Sequence, residues 1–450
     1  MKEHSEISEK ERTMKLSIKE GSVSSVMSGL GDSNLSLFAL ALNANNLQMG
    51  FLSSFPGLVT PIAQIFGSRL MEKYRRKKIV VAGVFLHALI WFPILALGLM
   101  YYKNIFASHL ATVLLVFYSV YAVLGAVAGP AWFSLLGDIV PENMRGKYFS
   151  KRNRICGTIA LITTLVGAFF LDFFETKGLL LIGFSIFFFI AGIFRLIAAF
   201  LFTKHYEPKF KLEKNYYFSI WQFIKKAPYN NFGRFVIFVS LMHFATAIAG
   251  PFFTVYMRRD LGFSVLTYTI IVVASSVSSL LFIPLWGKFS DKYGNRELLR
   301  IGSLIIPFLP ALWLISKSPY YLIIVPQLLS GFSWAAFNLG VSNFIYDSVS
   351  PQRRGICVAY FNVIAGFGTF LGASIGGFLA YYLTISFMNI LLFIFLASSI
   401  LRLTVTLAFL PLVKEVRKVK KLRTIPMLHF KGIFPSRGII YNLFHPIKNN

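Results

Sequence analysis

Four polar residues, Ser25, Ser28, Asp32 and Ser36, recur at helical spacing inside an otherwise largely apolar stretch, which places them on one face of a helix. If that stretch crosses a bilayer, an uncompensated acid in it costs roughly 2.5 to 3.5 kcal/mol on insertion scales and needs a reason to be there. Asp32 lies about 13 residues past Lys19, roughly 20 Å along a helix, so it falls near mid-membrane. A carboxyl group shielded from water resists carrying charge, so such a group can take up and release a proton. Two other readings fit the same residue: direct contact with a polar solute, and a protonated or hydrogen-bonded acid with a structural part. His243, on a later apolar stretch, could assist proton transfer, although a lone histidine in such a place, His87 included, is more often a packing residue. Gln327, Ser330, Trp334, Asn338 and Ser342 follow near-helical spacing and combine hydrogen-bonding groups with an aromatic wall, as a ligand pocket does. Tyr118, Tyr121 and Trp132 offer similar chemistry less regularly, and packing or interface anchoring accounts for single aromatics equally well.

The elements that must hold these residues are membrane spans. With 56% apolar residues, 48 Phe and 14% charge, the chain could not form an ordinary water-facing surface. Twelve stretches reach the roughly 20 apolar residues that cross a bilayer, the first from about Glu20 to Leu42 and the seventh from about Phe235 to Tyr256. Gly129-Pro130 and Gly250-Pro251 lie inside such stretches, where neighbouring helices can satisfy freed backbone groups. The expected organisation is an N-terminal segment (1–18), a six-helix bundle (19–203), a central linker (204–234), a second six-helix bundle (235–413) and a basic tail (414–450). The first 18 residues are polar without an apolar core, so a disordered tip is expected, not a cleavable signal or a folded domain. The linker, with Tyr216, Tyr217, Phe218 and Trp221 among basic residues, reads as an interfacial segment.

A phrase occurs twice: Asp138-Ile-Val-Pro-Glu-Asn-Met-Arg145-Gly146 and Asp347-Ser-Val-Ser-Pro-Gln-Arg-Arg354-Gly355. Each joins the end of one apolar stretch to the start of the next, so the chain is a duplication. Arg195 and Arg402, in Phe-Arg-Leu-Ile and Leu-Arg-Leu-Thr, repeat the same relation on helices six and twelve. Of 45 Lys and Arg, only Lys103, Lys177, Arg258, Arg259 and Lys317 face one side of the membrane, and Arg195 and Arg402 lie within spans. All others fall on the side of both termini, which the positive-inside rule makes cytoplasmic. Basic residues in short loops and the tail, from Lys414 to Arg423 above all, are expected to meet anionic lipid headgroups. A formal charge of +27 would suggest nucleic acid in a soluble protein, but charges so spread and without a reading motif argue against it.

Several chemistries find no support. Cys156 and Cys357 sit near cytoplasmic helix ends, so no disulfide is expected. Two Cys and seven scattered His lack the spacing of a zinc site, and no phosphate-binding glycine loop is present. No acid–base pair or nucleophile set suggests an enzyme. No cofactor is expected.

A second loop phrase, Gly287-Lys-Phe-Ser-Asp291-Lys-Tyr-Gly294-Asn-Arg296, resembles the G-x-x-x-D-R-x-G-R-K motif of the major facilitator superfamily. Its counterpart, Ser68-Arg-Leu-Met-Glu72-Lys-Tyr-Arg75-Arg-Lys77, keeps the acid and basic end but has Ser68 and Arg75 in place of glycine. With the twelve helices and the repeated phrase, the resemblance covers about Glu20 to Val413. It implies an all-α, polytopic fold of two pseudo-symmetric six-helix bundles, with helices one, four, seven and ten around a central cavity and helices six and twelve at the periphery. On that arrangement Glu72 is expected near Arg354, and Asp291 near Arg145, as a cytoplasmic latch that includes Asp138, Gly287, Gly294, Arg296 and Asp347. The bland alternative is that these residues end helices and set topology. Snorkelling or a structural ion pair is expected of Arg195 and Arg402, with substrate binding as the alternative reading.

The resemblance implies a secondary active transporter in the cell membrane, and a monomer is expected. It would move a small solute, with protons as coupling ion, through a cavity of Asp32, Ser28, Ser36, His243, Gln327, Trp334, Asn338 and Tyr121. Helix five lacks the Gly-Pro-rich stretch of the family's drug antiporters, which weakens multidrug efflux. No Arg or Lys on the expected cavity helices disfavours a phosphorylated or dicarboxylic solute. The rival is a protein of the same fold that serves as a sensor, scramblase or scaffold.

Overall fold

The computed structural model describes residues 2–141, 144–208 and 219–420, the side chains at 2–7, 146, 351–352 and 354–355 excepted. The Arg354 side chain, Tyr216, Tyr217, Phe218 and the tail beyond 420 lie outside what is described. All regular structure among those described is helical, and eleven helices are long and apolar enough to cross a membrane without a break.

The twelfth span is the first in the chain, and it is interrupted. Helix α1 (Lys2–Leu30) ends one residue before a 3-10 turn (Asp32–Asn34), and α2 (Leu35–Ala41) completes the crossing. Gly31 sits so close to Trp91 that an added Cβ would lie 2.6 Å from the indole. The Asn34 amide bonds the Gly31 carbonyl at 2.9 Å, and the Asn34 side chain takes the Leu30 carbonyl at 2.8 Å. Thr164 Oγ1 donates to the Gly29 carbonyl at 3.3 Å. The break therefore leaves few backbone groups without partners, as lipid demands.

The remaining spans of the first half are α3 (Asn46–Leu70), α4 with α5 (Arg76–Leu89, Trp91–Tyr102), α6 (Ala107–Ile139), α7 (Arg145–Thr176) and α8 (Leu180–Thr203). A short helix α9 (Ile220–Lys226) precedes the second half, with Phe223 buried and Trp221 69% exposed. The second half comprises α10 and α11 (Asn231–Ala249, Phe252–Val255), α12 (Val265–Tyr293), α13 and α14 (Asn295–Ile305, Phe308–Ala311), α15 and α16 (Pro319–Leu322, Leu328–Ser348), α17 (Pro351–Tyr382) and α18 (Ile390–Phe409). Pro130 is carried inside α6, whereas Gly250-Pro251 separates α10 from α11.

The expectation of a disordered N-terminal tip is corrected over its described part. Helix α1 starts at Lys2, continuous with the first span, and Thr13 and Ser17 are buried. Tyr148 donates to the Met14 carbonyl at 3.0 Å and the Tyr206 amide to Thr13 at 3.0 Å. A polar helix persists here because its hydroxyls and carbonyls meet partners on α7 and the start of the linker.

The two halves meet along α3 and α17. Gly57 and Gly366 approach backbone to backbone, as do Gly50 and Gly377, while Gly368, Gly372 and Gly376 lie against the α10 carbonyls of Ser240, Phe244 and Ile248. Small residues at this spacing let membrane helices approach closely, which gains dispersion where no hydrophobic force acts between them. Hydrogen bonds that cross between the halves cluster at the face opposite the basic one. There Arg258 pairs with Glu175, the Val265 and Leu266 amides donate to Glu175 at 3.2 Å and Asp172 at 3.1 Å, and Arg259 bonds Asn46 at 2.9 Å. Acids from α7 thus cap the first turn of α12, where unpaired amides and the helix dipole favour negative charge.

Candidate functional site

A cavity of about 470 Å³ lies within the first half, lined by Ser24, Met27, Ser28, Asp32, Pro56, Thr60, His87, Tyr118, Tyr121, Ala122 and Arg195. The break at Gly31 brings Asp32 to its wall and leaves it accessible to solvent. Tyr121, itself buried, donates its hydroxyl to Asp32. The His87 ring stacks on Tyr121 with centroids 3.7 Å apart, and Tyr118 lies 6.0 Å from the same ring. Arg195 Nε donates to His87 Nδ1 at 3.2 Å, and Arg195 Nη1 to Ser24 Oγ at 2.5 Å. Contacts therefore run continuously from acid to phenol to imidazole to guanidinium.

The cavity joins Asp32, Ser28 and Tyr121, as expected, and departs from expectation elsewhere. Ser36 is not among the lining residues, because the turn after Leu30 rotates α2 away from the stripe, and Ser25 is buried and bonds the Gly21 carbonyl at 2.7 Å. His243 does not line this cavity either. Gln327 belongs to a π-helical turn ahead of α16, Trp334 packs edge-on to Phe337 at 5.5 Å, and Asn338 is solvent-accessible. The larger correction concerns Arg195 and His87. Arg195 does not snorkel as a peripheral residue: its guanidinium turns inward to the cavity, with His87 beside it. Both were hidden from periodicity, which places a residue on a helix but not on a face shared with other helices. Arg402, the repeat partner of Arg195, is 2% exposed and bonds Ser398 at 3.0 Å and the carbonyls of Ile306 and Thr246 at 3.4 Å.

At the basic face, the loop residues bond within each half. Arg76 pairs with Asp138 at 2.6 Å, and at the matching place Asn295 donates to Asp347 at 2.5 Å. The Lys77 amide donates to Glu207 at 3.2 Å, and the Arg296 amide to Glu415 at 2.7 Å. A carboxylate that follows the sixth helix of each half thus caps the third, a duplication not visible in the loop phrases themselves. Gly294 has φ of +92° and a Cβ there would strike Glu415, which explains its glycine; Arg75, at the matching position, has φ of −63° and bonds Glu207 at 2.9 Å. Gly287 has open space around it.

Of the expected latch, the Glu72–Arg354 pair falls on a side chain outside the described residues, and no Asp291–Arg145 ion pair is found among those described. Glu72 and Asp291 are exposed and make no hydrogen bond or ion pair among the described residues, while Arg145 donates to the carbonyls of Gly137 at 2.7 Å and Val140 at 3.3 Å. Asp347 also pairs with Arg417 of the tail at 3.2 Å. The contacts at the face away from the termini, Glu175 with Arg258, Asp172 with the Leu266 amide and Arg259 with Asn46, were missed. Their one signal was that two of the few basic residues on that side are adjacent.

The family model described as Major Facilitator Superfamily matches residues 21–242 and 235–444. Among curated proteins, an uncharacterized MFS-type transporter of Methanocaldococcus jannaschii is 23% identical over 364 residues, 79% of this chain and 87% of its own. The quinolone resistance protein NorA of Staphylococcus aureus is 24% identical over 149 residues, 33% of this chain and 37% of its own. Among solved structures, a point mutant of the nucleoside transporter NupG superposes with a TM-score of 0.68 at 18% identity, over 89% of this chain and all of the other. The POT family transporter PepTSo gives a TM-score of 0.66 at 10% identity, over 89% of this chain and 97% of its own.

Proposed function

Because this chain belongs to the Major Facilitator Superfamily, a family of transporters, we propose that it moves a small solute across the cell membrane by alternating access, with protons as the coupling ion. The observation that carries the proposal is Asp32: a carboxyl group deep in a span, on a helix break, solvent-accessible, and held by the Tyr121 and Ser28 hydroxyls without a direct ion pair among the described residues. A group so placed can be charged or neutral according to what else occupies the cavity. The face rich in Lys and Arg is then cytoplasmic, and the contacts of Glu175, Asp172 and Arg259 hold the outer side closed. Glu72 and Asp291, unengaged among the described residues, would be engaged when the inner side closes, so the two sets of contacts bias opposite states. His243, Gln327, Trp334 and Asn338 would bear on the solute only when the second half closes over it. No covalent step is required.

The test uses proteoliposomes that contain a pH-sensitive dye and a screen of solutes that stabilise the purified protein. Proton movement should accompany uptake of any transported solute. Asp32→Asn should lose accumulation against a gradient and keep solute exchange. Full accumulation by that variant ends the coupling role, and binding without flux favours a sensor. Drug export is the second reading, favoured by the partial match to NorA. The charged Asp32–Arg195 cavity weighs against it, since a drug pocket needs mostly apolar walls.

A further inference from the structure

We propose that Arg195 binds the anionic group of a small monocarboxylate in this cavity, and that the anion and a proton on Asp32 occupy it together, a reading that rests on the transport role above.

A guanidinium carries five N–H donors in a planar fork that matches a carboxylate. Arg195 directs its Nε to His87 and its Nη1 to Ser24, both neutral. No carboxylate lies within ion-pair distance of it among the described residues. A cation at this depth normally has a counter-ion or a shell of acceptors. Arg402 supplies the contrast: it is sealed from solvent and satisfied by a hydroxyl and two carbonyls, whereas Arg195 faces open space. His87 accepts from Arg195 at Nδ1, which keeps the imidazole neutral with its other nitrogen as donor.

The charge balance then favours one anion. The groups that face Asp32 are Tyr118 and Tyr121 of α6, His87 of α4 and Arg195 of α8; Glu20 of α1, the acid nearest on its own helix, pairs with Arg152 at 3.4 Å. With Asp32 ionised, the cavity carries one positive and one negative charge and repels a second anion. With Asp32 protonated, the only carboxylate left near Arg195 is Glu20, which already pairs with Arg152, so the four groups carry one net positive charge and a monoanion restores neutrality. Each ligand therefore strengthens the other by the same factor. The aromatic wall of Tyr118 and Tyr121 suits an apolar body behind the carboxylate.

Benzoate and lactate, with benzamide and lactamide as neutral controls, can be tested on the full-length protein in nanodiscs by thermal shift and equilibrium binding, at about pH 5.5 and about pH 7.5. The acids should bind at least about tenfold more tightly than the amides and more tightly at the lower pH. Arg195→Gln should lose that preference, Arg195→Lys should keep part of it, and Asp32→Asn should bind the acids without the pH dependence. Equal binding of acids and amides, unchanged benzoate binding by Arg195→Gln, or no binding of either acid overturns the anion site. Benzoate that binds but is not carried into proteoliposomes leaves the site standing and removes the transport reading. A neutral nucleoside carried with protons by Arg195→Gln does the reverse.

Discussion

Arg195 and Arg402 occupy matching positions in a duplicated sequence and meet opposite environments. One lines a cavity beside His87, and the other is enclosed by Ser398 and two carbonyls. Residue type and spacing located Asp32 because an acid in a span is costly wherever it points. Arginine on helix six gave no such warning, since its long side chain can reach water from many depths. His205, just past the sixth span, is another buried ionisable group that spacing did not distinguish. Its ring stacks on Phe202 at 4.2 Å and its Nδ1 lies 3.2 Å from the Phe202 carbonyl, while Nε2 has no partner. Burial, with Lys77 and Arg152 nearby, pushes its pKa down to about 4. Below about pH 6.5 the unfolded chain takes up a proton that the native imidazole refuses. Stability should thus fall as the pH drops from about 6.5 toward 4, by on the order of 3 kcal/mol. Thermal melts across that range should show the slope in the native protein and a shallower one in His205→Gln.

Elements tell a similar story one level up. Twelve crossings were legible from apolar length alone, because every backbone group in lipid must be satisfied within a helix. The break in the first crossing was not, since it depends on Trp91 pressing on Gly31 and on the Asn34 side chain taking the Leu30 carbonyl. The tail is likewise more than a basic address. Glu415 caps α13 through the Arg296 amide, Arg417 pairs with Asp347 at 3.2 Å, and Asn231 bonds Lys414 in both directions at 2.8 Å. Truncation after Val413 removes these charge-assisted contacts and should cost about 1.5–3 kcal/mol for the group most fully buried. A lowered melting temperature of the truncated protein would show it; a melting temperature equal to that of the full chain would reduce the tail contacts to incidental ones.

At the scale of the whole molecule, the polar contacts between the halves gather at one face, beside the glycine-lined seam of α3 and α17. Glu175 and Asp172 accept from Arg258 and from the first amides of α12, and Arg259 reaches Asn46 and the Ala44 carbonyl. Replacement of both acids, Asp172→Asn with Glu175→Gln, removes the charge that favours this helix terminus and should shift the population toward an outward-open state. A cysteine placed at Ser28 should then react faster with a membrane-impermeant thiol reagent added outside. An unchanged rate would mean that the glycine-lined seam of α3 and α17, and not these ion pairs, sets the closed state.

The order of residues alone determined the number of crossings, the twofold repeat and the side on which basic residues gather. These follow from length, hydrophobicity and charge, which act on each segment separately. Only the packed bundle decided that Arg195 and His87 share a cavity with Asp32 and Tyr121, that Arg402 does not, and that Glu207 and Glu415 close the same turn in each half. Such relations depend on how helices are rotated about their axes against one another, and that rotation is set by contacts between residues far apart in the chain.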